Sequence, residues 1–138
     1  MYKFWVRQRS EGWKAQGVDR PLMSLEAAGY ESLYAYRYDW NDQKDSFLIN
    51  FSEVLGAAHA SEISFIQGKA MYGPIGSYMY PDTDSARDMT DIMMTAWANF
   101  ARDGTPGEVK GDAWAPFSAM APHFMVLDSL GQHRLEAE

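Results

Sequence analysis

The sequence predicts an α/β fold from three of its segments. Residues 33–38 form a run rich in aromatic side chains without a glycine or proline, which is typical of a strand. Residues 85–102 repeat apolar side chains at helical spacing. Residues 124–127 and 134–136 flank a turn that contains glycine, which predicts a terminal hairpin. We therefore expect the strand to pair beside the hairpin, with the long helix covering one face of the sheet.

The N-terminal part of the chain is predicted to be helical. Residues 2–16 mix aromatic and basic side chains and indicate the start of a helix. Pro21 opens a second helix over residues 22–28, in which apolar side chains recur at helical spacing. Gly29 is a natural C-terminal stop. The strand over residues 33–38 follows, and we expect it to be a central strand.

The helix over residues 85–102 is the longest regular element that the sequence predicts. Ser85 with Asp88 matches a capping box at its start, and Gly104 follows its end. The apolar residues expected to face the sheet are Met93, Trp97 and Phe100.

Composition bounds the classes of protein that remain. The 138 residues fit a single domain, 1–138, and the 46% hydrophobic and 14% aromatic content excludes a disordered tail. A net charge of −7 argues against a nucleic-acid partner, because phosphate contacts need a basic surface. No apolar run reaches the length of about 18 residues that a membrane span needs. Without cysteine, a disulfide-stapled module and a Cys-ligated metal are excluded too.

The start of the chain does not identify a compartment. Residues 1–10 are basic but lack the apolar stretch and the small-residue cleavage site of a signal peptide. The localisation therefore stays open.

Residues 51–65 contain the one histidine whose surroundings suggest a chemical role. Small residues at 56–58 precede His59 and Ala60 follows it, so the imidazole would project from a tight backbone. Glu62 lies three residues further on, within reach of a local hydrogen bond. Spacing alone favours a structural interpretation, in which His59 is a loop histidine that hydrogen-bonds to a backbone carbonyl and has no chemical role.

The pattern around this histidine extends over Gly56-Ala-Ala-His59-Ala-Ser-Glu62-Ile-Ser-Phe65-Ile-Gln-Gly68. It resembles the catalytic-histidine segment of the type B carboxylesterases, the cholinesterase-like branch of the α/β-hydrolases, which reads Gly-x-x-His-Gly-x-Glu-Ile-x-Phe-x-x-Gly. Ala60 stands where that family usually has glycine, a departure that matters if the backbone needs a positive φ. Other segments match in the family's order and spacing, and they are residues 17–22, 33–40, 96–106, 114–117 and 125–128.

The resemblance implies a fold, an activity and two site residues. The chain would be the C-terminal part of an α/β-hydrolase fold, in which His59 is the general acid and base for hydrolysis of a small-molecule carboxylic ester. Glu62 would support the hydrogen bonds of the active site. No cofactor and no metal are implied.

The remaining parts of a serine triad are not found in this sequence. An α/β-hydrolase places its nucleophile in a Gly-x-Ser-x-Gly turn, and this pattern is absent from the chain. By resemblance, the triad acid and the oxyanion loop also precede the histidine by a long interval. We therefore expect the N-terminal portion of the esterase to be the partner of this chain, and the isolated chain to be inactive.

Other interpretations stay open. The chain could be a non-catalytic cholinesterase-like interaction module, or an inactive truncated esterase fragment. The hypothesis of a metal site shared by His59 and Glu62 has less support than the esterase hypothesis. No His-Glu-x-x-His pattern occurs, and His123 and His133 lie far along the chain. We expect these last two histidines at the surface. The apolar composition predicts a homo-oligomer when the chain is isolated.

Overall fold

The computed structural model describes residues 10–71 and 73–137, and the statements below concern these residues. Most of the predicted first helix lies outside them, but residues 10–14 are helical and continue through a π-helical turn at Ala15–Asp19. The helices are α1 (Arg20–Ala27), α2 (Phe51–Val54), α3 (Ile63–Gln67), α4 (Gly76–Met79) and α5 (Asp84–Asp103). The strands are β1 (Tyr36–Tyr38), β2 (Glu108–Val109), β3 (Asp112–Ala113), β4 (His123–Leu127) and β5 (Arg134–Ala137).

The main sheet of the described chain has the strand order β1-β4-β5. β1 runs parallel to β4, with Tyr36 opposite Met125. β4 and β5 form an antiparallel hairpin in which Met125 lies opposite Leu135. The predicted hairpin and its place beside the strand are therefore confirmed. β2 and β3 pair separately as a small antiparallel ribbon.

β1 is shorter than the predicted strand, and it lies at the edge of the described sheet instead of at its centre. The carbonyl of Leu33 accepts a hydrogen bond from the N–H of Phe117, 2.7 Å away, which belongs to a loop. The regular ladder with β4 therefore begins only at Tyr36. β4 takes the central position, and every residue of it after His123 is buried.

α5 covers one face of the sheet, as predicted. Its buried residues are Ala86, Met89, Ile92, Met93 and Ala96. They share one core cluster with Met125 and Leu127 of β4. Of the three residues expected to face the sheet, Met93 is fully buried, Trp97 is partly buried, and Phe100 is 47% exposed. The last turns of α5 are less covered because they border an open aromatic cavity.

The predicted capping box is wrong by two residues. Thr83 is the N-cap, and its hydroxyl accepts a hydrogen bond of 3.2 Å from a backbone N–H of the first turn. Thr83 has the extended backbone that a cap needs, whereas Ser85 already belongs to the helix. The Ser85 hydroxyl is therefore free for tertiary contacts. It accepts from Trp40 Nε1 at 2.9 Å and donates to Asp42 Oδ2 at 2.5 Å.

Candidate active site

His59 lies on the connection between α2 and α3, downstream of the carboxyl end of β1. Loops beyond the carboxyl ends of strands are where open α/β sheets carry functional side chains. Phe65 in α3 fixes the far end of this connection, because it is fully buried and its ring centroid lies 4.7 Å from that of Trp40 and 5.2 Å from that of Tyr80. The loop with His59 is therefore attached to the core directly behind it.

Hydrogen bonds hold the backbone on both sides of His59. The N–H of Ala58 donates to the carbonyl of Gly56 at 2.9 Å. The carbonyl of Ala58 accepts from the N–H of Ser61 at 3.1 Å and from its hydroxyl at 2.6 Å. Ser61 is only 3% exposed, so this contact is protected from water. The backbone of His59 is fixed while its side chain projects.

The imidazole of His59 is exposed and lies against an aromatic ring. Trp13 meets it edge to face, with ring centroids 4.9 Å apart and planes inclined by 75°. Within residues 10–71 and 73–137, no protein group hydrogen-bonds to the imidazole. The structural interpretation, in which the His59 ring hydrogen-bonds to a backbone carbonyl, does not hold for this part of the chain. Trp13 was missed by sequence reasoning, because no local pattern relates it to His59.

Ala60 adopts the left-handed backbone conformation, with φ 66°. This is the position at which the carboxylesterase pattern has glycine. An L-residue there costs roughly 1–2 kcal/mol relative to the right-handed region, because its Cβ approaches the following carbonyl. The departure from the pattern is thus a point of backbone strain next to the candidate catalytic residue.

Replacing Ala60 by glycine should raise the free energy of unfolding by about 1 kcal/mol, because glycine adopts this conformation without strain. Urea unfolding of the chain would measure the change. Ala57→Gly is the matched control, since Ala57 is exposed and has no positive φ. The control should lose about 0.5–1 kcal/mol through added freedom of the unfolded chain. Equal losses in both variants would contradict the strain.

The carboxylate of Glu62 lies close enough to β1 to influence the phenol of Tyr36. Burial, and then the negative charge of Glu62, raise the pKa of the Tyr36 phenol above its ordinary value. Glu62 is the N-cap of α3, but its side chain makes no cap hydrogen bond. No hydrogen bond joins Glu62 to His59 among the described residues. The supporting role of Glu62 stays a prediction.

His133 is buried, so the expectation of a surface histidine is wrong. Its Nδ1 accepts a hydrogen bond from the N–H of Asp128 at 3.2 Å, and its Nε2 lies 3.0 Å from Asp88 Oδ2. Because Nδ1 is an acceptor, the ring proton of the neutral form is on Nε2 and is donated to Asp88. The pair ties the β4–β5 turn to α5. His123, at the start of β4, is half-buried.

Two further features bear on what the site can hold. A cavity of about 190 Å³ lies between β1 and α5, and its aromatic lining is Tyr34, Tyr36, Trp97, Phe100 and Trp114. His59 is not among the residues that line this cavity. Among the described residues, no group of three or more acidic or histidine side chains is arranged to hold a metal ion. None of the described helices combines the length and apolarity needed to cross a membrane.

Solved structures that this chain is similar to include esterases of the α/β-hydrolase fold. A thermophilic PNB esterase superposes with a TM-score of 0.57 at 20% identity, over 75% of this chain and 19% of that chain. A second PNB esterase gives a TM-score of 0.56 at 23% identity, over the same shares of the two chains. The described structure is therefore a partial α/β-hydrolase fold.

The sequence comparisons extend this likeness. Acetylcholinesterase 1 of Caenorhabditis elegans is 31% identical over 78 residues, which are 53% of this chain and 12% of the relative. Acetylcholinesterase of Bungarus fasciatus is 29% identical over 99 residues, 70% of this chain and 15% of the relative. The chain thus spans less than a fifth of the length of these proteins. The sequence profile of the carboxylesterase family matches residues 19–137. Because this match covers most of the chain, the chain belongs to the carboxylesterase family.

Proposed function

We propose that this chain is the C-terminal portion of a type B carboxylesterase, and that His59 is the general acid and base for hydrolysis of a carboxylic ester. One observation carries the proposal. His59 has a fixed backbone and an exposed imidazole without a hydrogen-bond partner among the described residues. A triad histidine must contact a serine through one ring nitrogen and a carboxylate through the other. Within residues 10–71 and 73–137, both ring nitrogens of His59 are open for that use.

In this proposal the nucleophile comes from an N-terminal portion of the esterase. The serine attacks the ester carbonyl while His59 takes its proton, and His59 then returns that proton to the leaving alcohol. Water repeats the same two transfers on the acyl-enzyme and releases the carboxylic acid. A carboxylate from the N-terminal portion orients the imidazole, and backbone N–H groups there stabilise the oxyanion. Glu62 supports the site from the start of α3.

The open edge of the described sheet supports an N-terminal partner. β1 pairs with β4 on one side, and the described chain supplies no strand for its other side. An edge strand presents unpaired backbone N–H and C=O groups, so such an edge is a place where another strand can pair. The N-terminal portion would supply this strand and cover the aromatic cavity beside it. On this proposal residues 1–138 form one domain only together with that portion.

Complementation tests the proposed function directly. The isolated chain should hydrolyse p-nitrophenyl acetate no faster than free imidazole does, and a fluorophosphonate probe should not label it. Combined with the N-terminal portion encoded upstream, it should form an active esterase that the probe labels on the upstream serine. We call this combination the assembled esterase. Probe labelling of Ser61 or another serine of the present chain would contradict the proposal. An upstream turn without its serine would instead indicate a non-catalytic interaction module.

The isolated chain should also self-associate. Phe47, Leu48 and Met120 are 101%, 86% and 94% exposed, in addition to the open edge of β1. Exposed apolar side chains and an unpaired strand edge both favour association between copies. Light scattering should therefore report a homo-oligomer, and the N-terminal portion should dissociate it. A stable monomer at high concentration would show that the chain closes its own surface.

A further inference from the structure

Gln43 is a buried polar residue between β1 and α2, and only 5% of it is exposed. Its side-chain Nε2 donates a hydrogen bond of 2.6 Å to the carbonyl of Gly56. The amide orientation is fixed by chemistry, because the opposite orientation would place two oxygen atoms in contact. A buried side chain thus holds the backbone three residues before His59.

The carbonyl of Gly56 is a shared acceptor. It receives Nε2 of Gln43 and also the N–H of Ala58, 2.9 Å away. Ala58 is the residue directly before His59, and its own carbonyl is bound by Ser61. Gln43 is therefore linked to His59 indirectly, through the Gly56 carbonyl and the N–H of Ala58. A shift of the Gly56 carbonyl would be passed to the histidine.

Gln43 is itself held in place. Its carbonyl accepts a hydrogen bond of 3.1 Å from the hydroxyl of Ser52, and the N–H of Lys44 donates to the carbonyl of Tyr78 at 3.0 Å. In the segment between Gln43 and Gly56, Phe47 at the tip is fully exposed, whereas Phe51 is buried and its ring stacks on that of Tyr78 with centroids 5.1 Å apart. The buried ring of Phe51 and the hydrogen bonds of Gln43 thus act together to hold this loop, and the Gln43 side chain is the part that reaches the Gly56 carbonyl.

The other end of the Gln43 amide indicates that its role is not stability alone. Its Oε1 is buried and accepts no hydrogen bond among the described residues. A buried acceptor without a donor costs free energy, and an apolar side chain of the same shape would avoid that cost. The value of an amide at this position therefore lies in its contact with Gly56.

We propose that Gln43 is a positioning residue for His59. By fixing the Gly56 carbonyl, Gln43 holds the backbone that places the imidazole for proton transfer. This inference rests on the proposed function, since it presupposes that His59 is the general base. It makes no claim of contact between Gln43 and the ester. The effect should therefore fall on the chemical step and not on substrate binding.

Gln43→Met tests the inference, because methionine has a similar shape and no N–H donor. In the assembled esterase kcat should fall about 10- to 100-fold, as expected for a misplaced catalytic group, and KM should change less than about twofold. The thermal midpoint of unfolding should not fall, because the substitution also removes the unpaired Oε1. Ser46→Ala is the matched control: it removes a hydrogen bond of the same loop, which the Ser46 hydroxyl accepts from the N–H of Ile49 at 3.0 Å, and leaves the Gln43–Gly56 bond, so kcat should stay within about twofold.

Three results would overturn the inference: an unchanged kcat in Gln43→Met, a fall in kcat matched by a fall in the midpoint, or an equal loss in Ser46→Ala. His59→Ala in the same assay separates this inference from the proposed function. An inactive His59→Ala beside a fully active Gln43→Met would refute the role of Gln43 alone. Full activity in both variants would refute the proposed function as well.

Discussion

Replacing His59 by alanine in the assembled esterase should lower kcat/KM by about 10⁴- to 10⁶-fold. The members of a serine triad act as a unit, so loss of the base removes nearly all of the rate that the unit supplies. The fluorophosphonate probe should then label the upstream serine far more slowly, because the serine loses the group that takes its proton. Steady-state hydrolysis of p-nitrophenyl acetate and the rate of probe labelling both measure the effect.

The matched control for this prediction is His123→Ala. His123 is half-buried at the start of β4, away from the α2–α3 connection, and its loss should change the rate less than about twofold. His133 is not a suitable control. Its buried contact with Asp88 ties two elements together, so its replacement would act through stability. Near-normal activity in His59→Ala would show that the family's chemistry has been placed on the wrong residue.

Local patterns in the sequence predicted the local structure well. The periodicity of residues 85–102 predicted α5 to within one residue at each end, because helical spacing is a property of a short window. The turn before Arg134 likewise predicted the β4–β5 hairpin, which pairs neighbours along the chain. The carboxylesterase family was identifiable because its motif positions are close together in sequence.

The sequence-based predictions were wrong where a residue's structural position depends on residues far away in the sequence. The position of β1 in the sheet is set by which strands flank it, and residues 33–38 carry no information about that. Thr83 and Ser85 are both good capping residues, and the local sequence does not decide between them. In the structure Thr83 has the extended backbone of the cap, and the Ser85 hydroxyl instead accepts from the indole N–H of the distant Trp40. The burial of His133 depends on Asp88, far away in the sequence.

At the candidate site, the sequence offered a candidate residue but not its surroundings. The resemblance singled out His59 as the candidate, whose catalytic role stays a prediction, whereas the edge-to-face contact with Trp13 and the bond from Gln43 to Gly56 are tertiary contacts without a local signature. The positive φ of Ala60 is an intermediate case. Glycine in the carboxylesterase pattern indicated where such a backbone would occur, and the structure has it at that position.

Replacing Trp40 by alanine should lower the free energy of unfolding by about 3–5 kcal/mol. The indole is completely buried, and its ring centroid lies 4.7 Å from that of Phe65. Alanine would leave a large cavity and remove the hydrogen bond to Ser85, whose hydroxyl also binds Asp42. Urea unfolding followed by circular dichroism measures the loss.

Trp13→Ala provides the control, because Trp13 is 68% exposed and should contribute less than about 1 kcal/mol to stability. Both tryptophans should nevertheless affect the rate of ester hydrolysis in the assembled esterase. Trp13 lies against the imidazole. Trp40 packs against Phe65, which anchors α3 behind the loop that carries His59. Trp40→Phe should retain most of the stability and the activity, since it keeps an aromatic ring against Phe65. A loss below about 1 kcal/mol in Trp40→Ala would mean that this cluster does not support the site.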